Sequence, residues 1–136
     1  MPDTQELSAF MQAEFPQSKT QVVSVAPMSA SLCLPVDEGD LRPGGTVSGP
    51  TMMALADTAA YVAILGEIGI VPLAVTTSLN INFLRKPAAG KDLLADCHLI
   101  KLGKVLAVAD VSIYSKGQQA PVAHATVTYS IPPRAR

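Results

Sequence analysis

Asp57 is the only charged residue between Pro43 and Gly66, and it stands within an apolar run from Met52 to Leu65. A lone carboxylate in such a setting is costly unless it is partnered or exposed. Two arrangements satisfy it. Asp57 pairs with Arg42 or caps a neighbouring backbone, or it faces a cleft where a desolvated carboxylate serves as general base or nucleophile. Gly49 lies about two helical turns upstream. Backbone N–H groups at a helix N-terminus hold a carbonyl oxygen or a developing oxyanion. Gly49 and Asp57 can therefore act on one carbonyl if one of them comes from a second subunit.

Other chemistries find less support. His98 and His124 sit in strand patterns with no second His or Cys at ligand spacing, which argues against zinc. No nucleophile elbow starts a Ser-His-Asp triad. Gly44 to Thr51 matches a phosphate-binding loop except that Pro50 stands where the loop needs Lys, which argues against a nucleotide. Cys33 and Cys97 each lie inside a strand-like stretch and read as reduced core thiols of a cytoplasmic protein.

The elements that must position these residues follow from periodicity. Residues 1–16 hold a short amphipathic helix, with Leu7, Phe10, Met11 and Phe15 at helical spacing, Asp3 or Thr4 as N-cap and Pro16 as stop. Val22, Val23 and Val25, a turn near Pro27, and the alternating stretch Ser29 to Val36 predict a hairpin. Residues 37–45 are turn-rich. Gly49, as N-cap, and Pro50 start a helix over about 51–65 that is apolar nearly all round and so enclosed on most sides. Four strands are expected at 74–84, 93–102, 105–115 and 121–131. Strict alternation in the first puts Thr76, Ser78, Asn80 and Asn82 on one face and Val75, Thr77, Leu79, Ile81 and Phe83 on the other. One enclosed helix with about five to six mostly antiparallel strands makes an α+β domain whose sheet curls around the helix.

Composition bounds the partners. The chain has 136 residues, 49% hydrophobic and 15% charged, and its 10 Lys+Arg against 11 Asp+Glu leave a net charge of −1. Average domains carry about 25% charged residues, so part of the surface is expected to be buried against copies of the same chain. No basic tract serves nucleic acid, and with no Trp, 3 Tyr and 3 Phe there is little to stack single strands on. No uninterrupted apolar run approaches the roughly 20 residues of a membrane span, and no signal peptide is visible.

The segments Gly45 to Ala59, Ser78 to Ala88 and Leu102 to Ala109 resemble the hotdog-fold acyl-CoA thioesterases of the phenylacetic-acid-degradation (PaaI-like) type. The resemblance covers about residues 20–131, with Leu55-Ala-Asp57-Thr-Ala59 and Leu79-Asn-Ile-Asn-Phe-Leu84 as its most specific parts. It implies a single domain, 1–136, with a helix at 1–16 and a hotdog core at 20–131. It further implies hydrolysis of a medium acyl- or aryl-CoA thioester in a dimer or dimer of dimers, with no cofactor besides the CoA of the substrate. The alternative is a non-hydrolytic acyl-CoA or small-ligand binding protein on the same fold.

Carried over by position, Asp57 is the catalytic carboxylate and the Gly49 N–H polarises the thioester carbonyl. Ser48 replaces the family's His, Pro50 replaces a glycine, and Arg42 stands where relatives carry Asn or Gln. A guanidinium there pairs with Asp57 or binds a carboxylated acyl group. Thr76 and Thr77 fall near the thioester, with Thr76 favoured because it shares the polar strand face, and Asn80 lies on that face too. Arg85, Lys86, Lys101, Gly103 and Lys104 correspond to CoA-contacting segments. No metal is expected.

Overall fold

The computed structural model describes residues 1–133, so the last three residues of the expected 1–136 domain lie outside the described residues. Helix α1 spans Thr4–Glu14. Asp3 caps it in a reciprocal box with Glu6, which satisfies two backbone donors that the first turn leaves open. Strands β1 (Gln21–Ala26) and β2 (Ser29–Leu34) form the expected hairpin. The 37–45 segment is more ordered than its turn residues imply. It holds a 3-10 turn at Glu38–Asp40 and a small ribbon of β3 (Leu41–Arg42) against β4 (Thr46–Val47). Helix α2 then runs over Gly49–Ile68, and β5 (Val75–Phe83), β6 (Leu93–Leu102), β7 (Leu106–Ser115) and β8 (Ala123–Ser130) complete a six-stranded antiparallel sheet in the order β1-β2-β6-β7-β8-β5.

The sheet wraps α2. On its inner face Ala95, Ala107, Ala109, Ala123 and Ala125 are fully buried, and α2 answers with Ala56, Ala59, Ala60 and Ala63. Small residues on both surfaces bring helix and sheet close, while Leu32, Leu93, Val111, Ile113 and Val127 fill the space between them. Enclosure explains why α2 is apolar enough, by length and composition, to cross a membrane while most of it lies buried against protein. Its enclosure is nevertheless incomplete. Pro50, Met53, Ala54, Asp57 and Thr58 form a stripe open to varying degree, with Met53 40% exposed.

The α2 cap also differs from expectation. Ser48, not Gly49, is the N-cap; its Oγ accepts from the Thr51 N–H, and Gly49 and Pro50 begin the helix. A serine hydroxyl satisfies an orphan donor that glycine cannot reach. At the other end Gly66 faces β1, where a Cβ would meet Val25 Cγ1 at 2.8 Å.

Candidate active site

The strict alternation read for β5 fails at one point. Val75 pairs with Ser130 and Thr76 with Tyr129, but Ser78 pairs with Thr128, so Thr77 is an extra residue in a β-bulge. Directly opposed residues share a face. Leu79, Ile81 and Phe83 lie opposite the buried Val127, Ala125 and Ala123, and the bulge keeps Thr76 on that same helix-facing side, opposite the buried Tyr129. Thr76 therefore does not share a face with Ser78, Asn80 and Asn82, which stand on the outer surface of the sheet.

That turn of the strand brings Thr76 to Asp57. The Thr76 hydroxyl donates to Asp57 Oδ1 at 2.6 Å, and the Tyr129 hydroxyl donates to the same oxygen at 2.9 Å, with a further contact to the Asp57 carbonyl at 3.1 Å. Burial holds the Tyr129 hydroxyl far above the ordinary phenol range. The Thr76 hydrogen bond works against this and the Asp57 charge adds to it, so Tyr129 stays protonated as a donor. Two donors pin Oδ1, and Oδ2 makes no hydrogen bond of this kind among the described residues. Asp57 opens on a cavity of about 300 Å³ that also carries Thr76, Tyr61, Phe15, Met11 and Pro72. Nothing in the sequence singles out Tyr129, because period-2 alternation marks it only as one more inward residue of β8.

Arg42 does not reach Asp57. It lies with Gly49, Phe83, Arg85 and Lys86 around a second cleft, of about 410 Å³, at the N-terminus of α2. The pairing of Asp57 with Arg42 is thus replaced by two neutral hydroxyls. Gly49 and Asp57 sit on one helix about 12 Å apart along its axis and open onto different clefts. Within one chain they do not converge.

The remaining positions separate. Ser48 and Pro50 are engaged in starting α2. Thr77 donates to the Thr128 carbonyl at 3.3 Å, and Asn80 faces outward opposite Thr126. Arg85 donates to the Pro121 carbonyl and stays exposed beside Lys86. Lys101, Gly103 and Lys104 lie at the β6–β7 hairpin, closed by the Gly103 N–H on the Leu106 carbonyl at 2.9 Å. Arg85 and Lys86 follow edge strand β5 at the end of the sheet where β6 begins, and Lys101 and Lys104 stand at the other end, on the order of 30 Å away along a ten-residue strand. His124 contacts Asp110 on the outer face, and among the described residues no group of three potential ligands could hold a metal.

The description of the thioesterase superfamily fits residues 44–129, from the loop before α2 to Tyr129 itself. The chain belongs to the thioesterase superfamily. Similar proteins agree with the hotdog architecture of this thioesterase. A Silicibacter protein assigned to the thioesterases has a solved structure that is 47% identical over 96% of this chain and 92% of its own, with a TM-score of 0.89. The structure of the Escherichia coli PaaI protein, from the phenylacetic acid degradation operon, is 25% identical, covering 93% of this chain and 91% of its own, with a TM-score of 0.80. Human acyl-coenzyme A thioesterase 13 is 29% identical over 98 residues, 72% of this chain and 69% of that protein. The family and the fold expected from residues 20–131 are both met.

Proposed function

We propose that this thioesterase hydrolyses the thioester of a medium acyl- or aryl-CoA, with Asp57 as the catalytic carboxylate. The observation that carries the reading is the Asp57 carboxylate, held by Thr76 and Tyr129 through one oxygen at the mouth of an apolar cavity. Such a carboxylate has the second oxygen left for a water molecule or for direct attack. In the water route, Oδ2 takes a proton from water as the oxygen attacks the carbonyl carbon. The tetrahedral oxyanion forms against a backbone N–H, the C–S bond breaks, and the CoA thiolate leaves and is protonated.

The N–H belongs to Gly49 of a second copy, since the chain's own Gly49 opens elsewhere. The N–H groups of a helix's first turn have no partner within the helix, so this amide is free to donate to the carbonyl oxygen. Two features favour a two-fold dimer: β5 is an edge strand of nine residues with an open backbone face, and α2 leaves its Pro50–Thr58 stripe uncovered beside it. A two-fold arrangement supplies both sites at once. Arg85 and Lys86, joined by Arg42, form a basic rim near the Gly49 amide for the CoA phosphates, and Lys101 and Lys104 form another at the far end of β6.

A free-thiol assay across acyl-CoA chain lengths and aryl-CoAs tests the reading. Thiol release should be lost in Asp57→Ala while circular dichroism stays native. Turnover retained by Asp57→Ala, or CoA-ester binding with no thiol release across the panel, overturns it. Light scattering that finds only monomer overturns the shared site.

A further inference from the structure

The cavity at Asp57 does not end at the catalytic groups. It runs from Asp57 and Thr76 to a wall made by α1, where Met11 and Phe15 meet Tyr61 of α2. Phe15 stands edge-on to Tyr61 with centroids 5.7 Å apart, and Phe10 stacks on the same ring at 6.4 Å. The Tyr61 hydroxyl donates to the Pro72 carbonyl at 3.0 Å, which fixes the ring's plane. Burial first, and the Glu14 charge second, keep that hydroxyl protonated by raising its pKa above the ordinary phenol value.

The wall is rigid. Leu7 is fully buried and Met11 nearly so, and the Val25 N–H donates to Thr4 Oγ1 at 3.0 Å, which ties the start of α1 to β1. These contacts tie α1 to the core and to β1, while the Asp3–Glu6 capping box closes the helix's own first turn. An apolar chamber with a carboxylate and a hydroxyl at one end, and aromatic rings at the other, fits a molecule whose reactive end is polar and whose tail is apolar.

We infer that the acyl tail of the substrate lies in this chamber and that Phe15, backed by Met11 and Tyr61, is the end wall that sets the longest acyl group accepted. The inference rests on the acyl-CoA reading above and adds a specificity determinant outside the hotdog core. At about 300 Å³ the chamber stands at the small end of ligand pockets, so it takes a single ring or a medium chain and rejects long fatty acyl groups. Removing the Phe15 ring extends it. Each further methylene buried there contributes a factor of about 4, from ~0.8 kcal/mol of transfer free energy, so two to three methylenes change relative kcat/KM by roughly 15- to 60-fold.

The experiment measures kcat/KM for hexanoyl- to dodecanoyl-CoA in wild type, Phe15→Ala and Phe15→Trp, and in parallel the affinity of the non-hydrolysable S-hexyl- and S-dodecyl-CoA thioethers. The long-to-short ratio should rise at least tenfold in Phe15→Ala and fall in Phe15→Trp. A ratio taken within one variant cancels any loss of folded protein. Ratios unchanged in both variants, with Asp57-dependent hydrolysis intact, overturn the end wall and leave the functional reading standing. Thioether affinities that follow Phe15 without any hydrolysis support the end wall and overturn the hydrolytic reading. If neither hydrolysis nor thioether affinity depends on Phe15, the end wall is wrong.

Discussion

Replacing Tyr129 with Phe isolates the less expected of the two donors on Asp57. The change removes one hydroxyl and nothing else, because the ring remains packed against Tyr61 at 5.9 Å and opposite Thr76 in the sheet. A hydrogen bond to a charged acceptor is worth about 1.5–3 kcal/mol. The low end applies, since Thr76 still donates at 2.6 Å and Asp57 is only half-buried. If that bond holds Oδ1 so that Oδ2 faces the reaction, its loss reduces kcat about tenfold, at 1.36 kcal/mol per decade. KM should stay within twofold, because Tyr129→Phe keeps the ring that lines the cavity and removes only the hydroxyl turned to Asp57. Stability should fall by about 1 kcal/mol, roughly 3–5 °C in Tm for a domain of this size. Thiol-release kinetics and a thermal melt read both numbers. A kcat within twofold of wild type, or a loss that appears in KM, refutes the positioning role.

Gly66→Ala should destabilise by about 1 kcal/mol in urea titrations, because overpacking against Val25 Cγ1 at 2.8 Å outweighs the ~1 kcal/mol helix-propensity gain. Cys97 is pushed up to about 12 by burial, with the Asp110 charge adding, so it should resist iodoacetamide at pH 8 until the protein is unfolded. Cys33, raised by burial and then by Asp92, should react slowly in the native state. Asp37 is held below the ordinary carboxylate range, by the Lys19 hydrogen bond first and the Gly39 N–H second. Its contribution to stability is therefore present above the unfolded value near pH ~4 and lost as pH falls through the lower folded value. Lys19→Ala should flatten the acid limb of a stability–pH curve, and an unchanged limb would remove Lys19 from that account.

Local pattern carried most of the elements. An N-cap at Asp3 or Thr4, the bounds of β6 and the apolar α2 all follow from short-range periodicity and cap chemistry, and the fold selects Asp3. Asp57 stood out because charge is rare around it, which needs no partner to be seen. What escaped were facts that exist only between elements. The role of Tyr129 depends on β8 lying beside β5 in a given register, and the separation of Arg42 from Asp57 depends on which cleft the β3–β4 ribbon faces. Alternation and fold both point to Thr76, but for different reasons. Alternation placed it with Asn80, whereas the bulge at Thr77 places it opposite Tyr129 and leaves the outward amides of β5 as ordinary solvent-facing residues beside His124 and Thr126.

That bulge gives the site a form of redundancy. Two threonines stand in succession at the only irregular point of β5, and they differ in which one the strand folds toward the helix. Were the bulge ironed out by a one-residue slip of the segment before Ser78, Thr77 would oppose Tyr129 and present an identical hydroxyl to Asp57. A register error that in most strands would swap a functional side chain for its neighbour is here nearly silent. Single replacements at Thr76 should then understate the hydroxyl's importance, and only the double replacement of Thr76 and Thr77 by valine would reveal it in full.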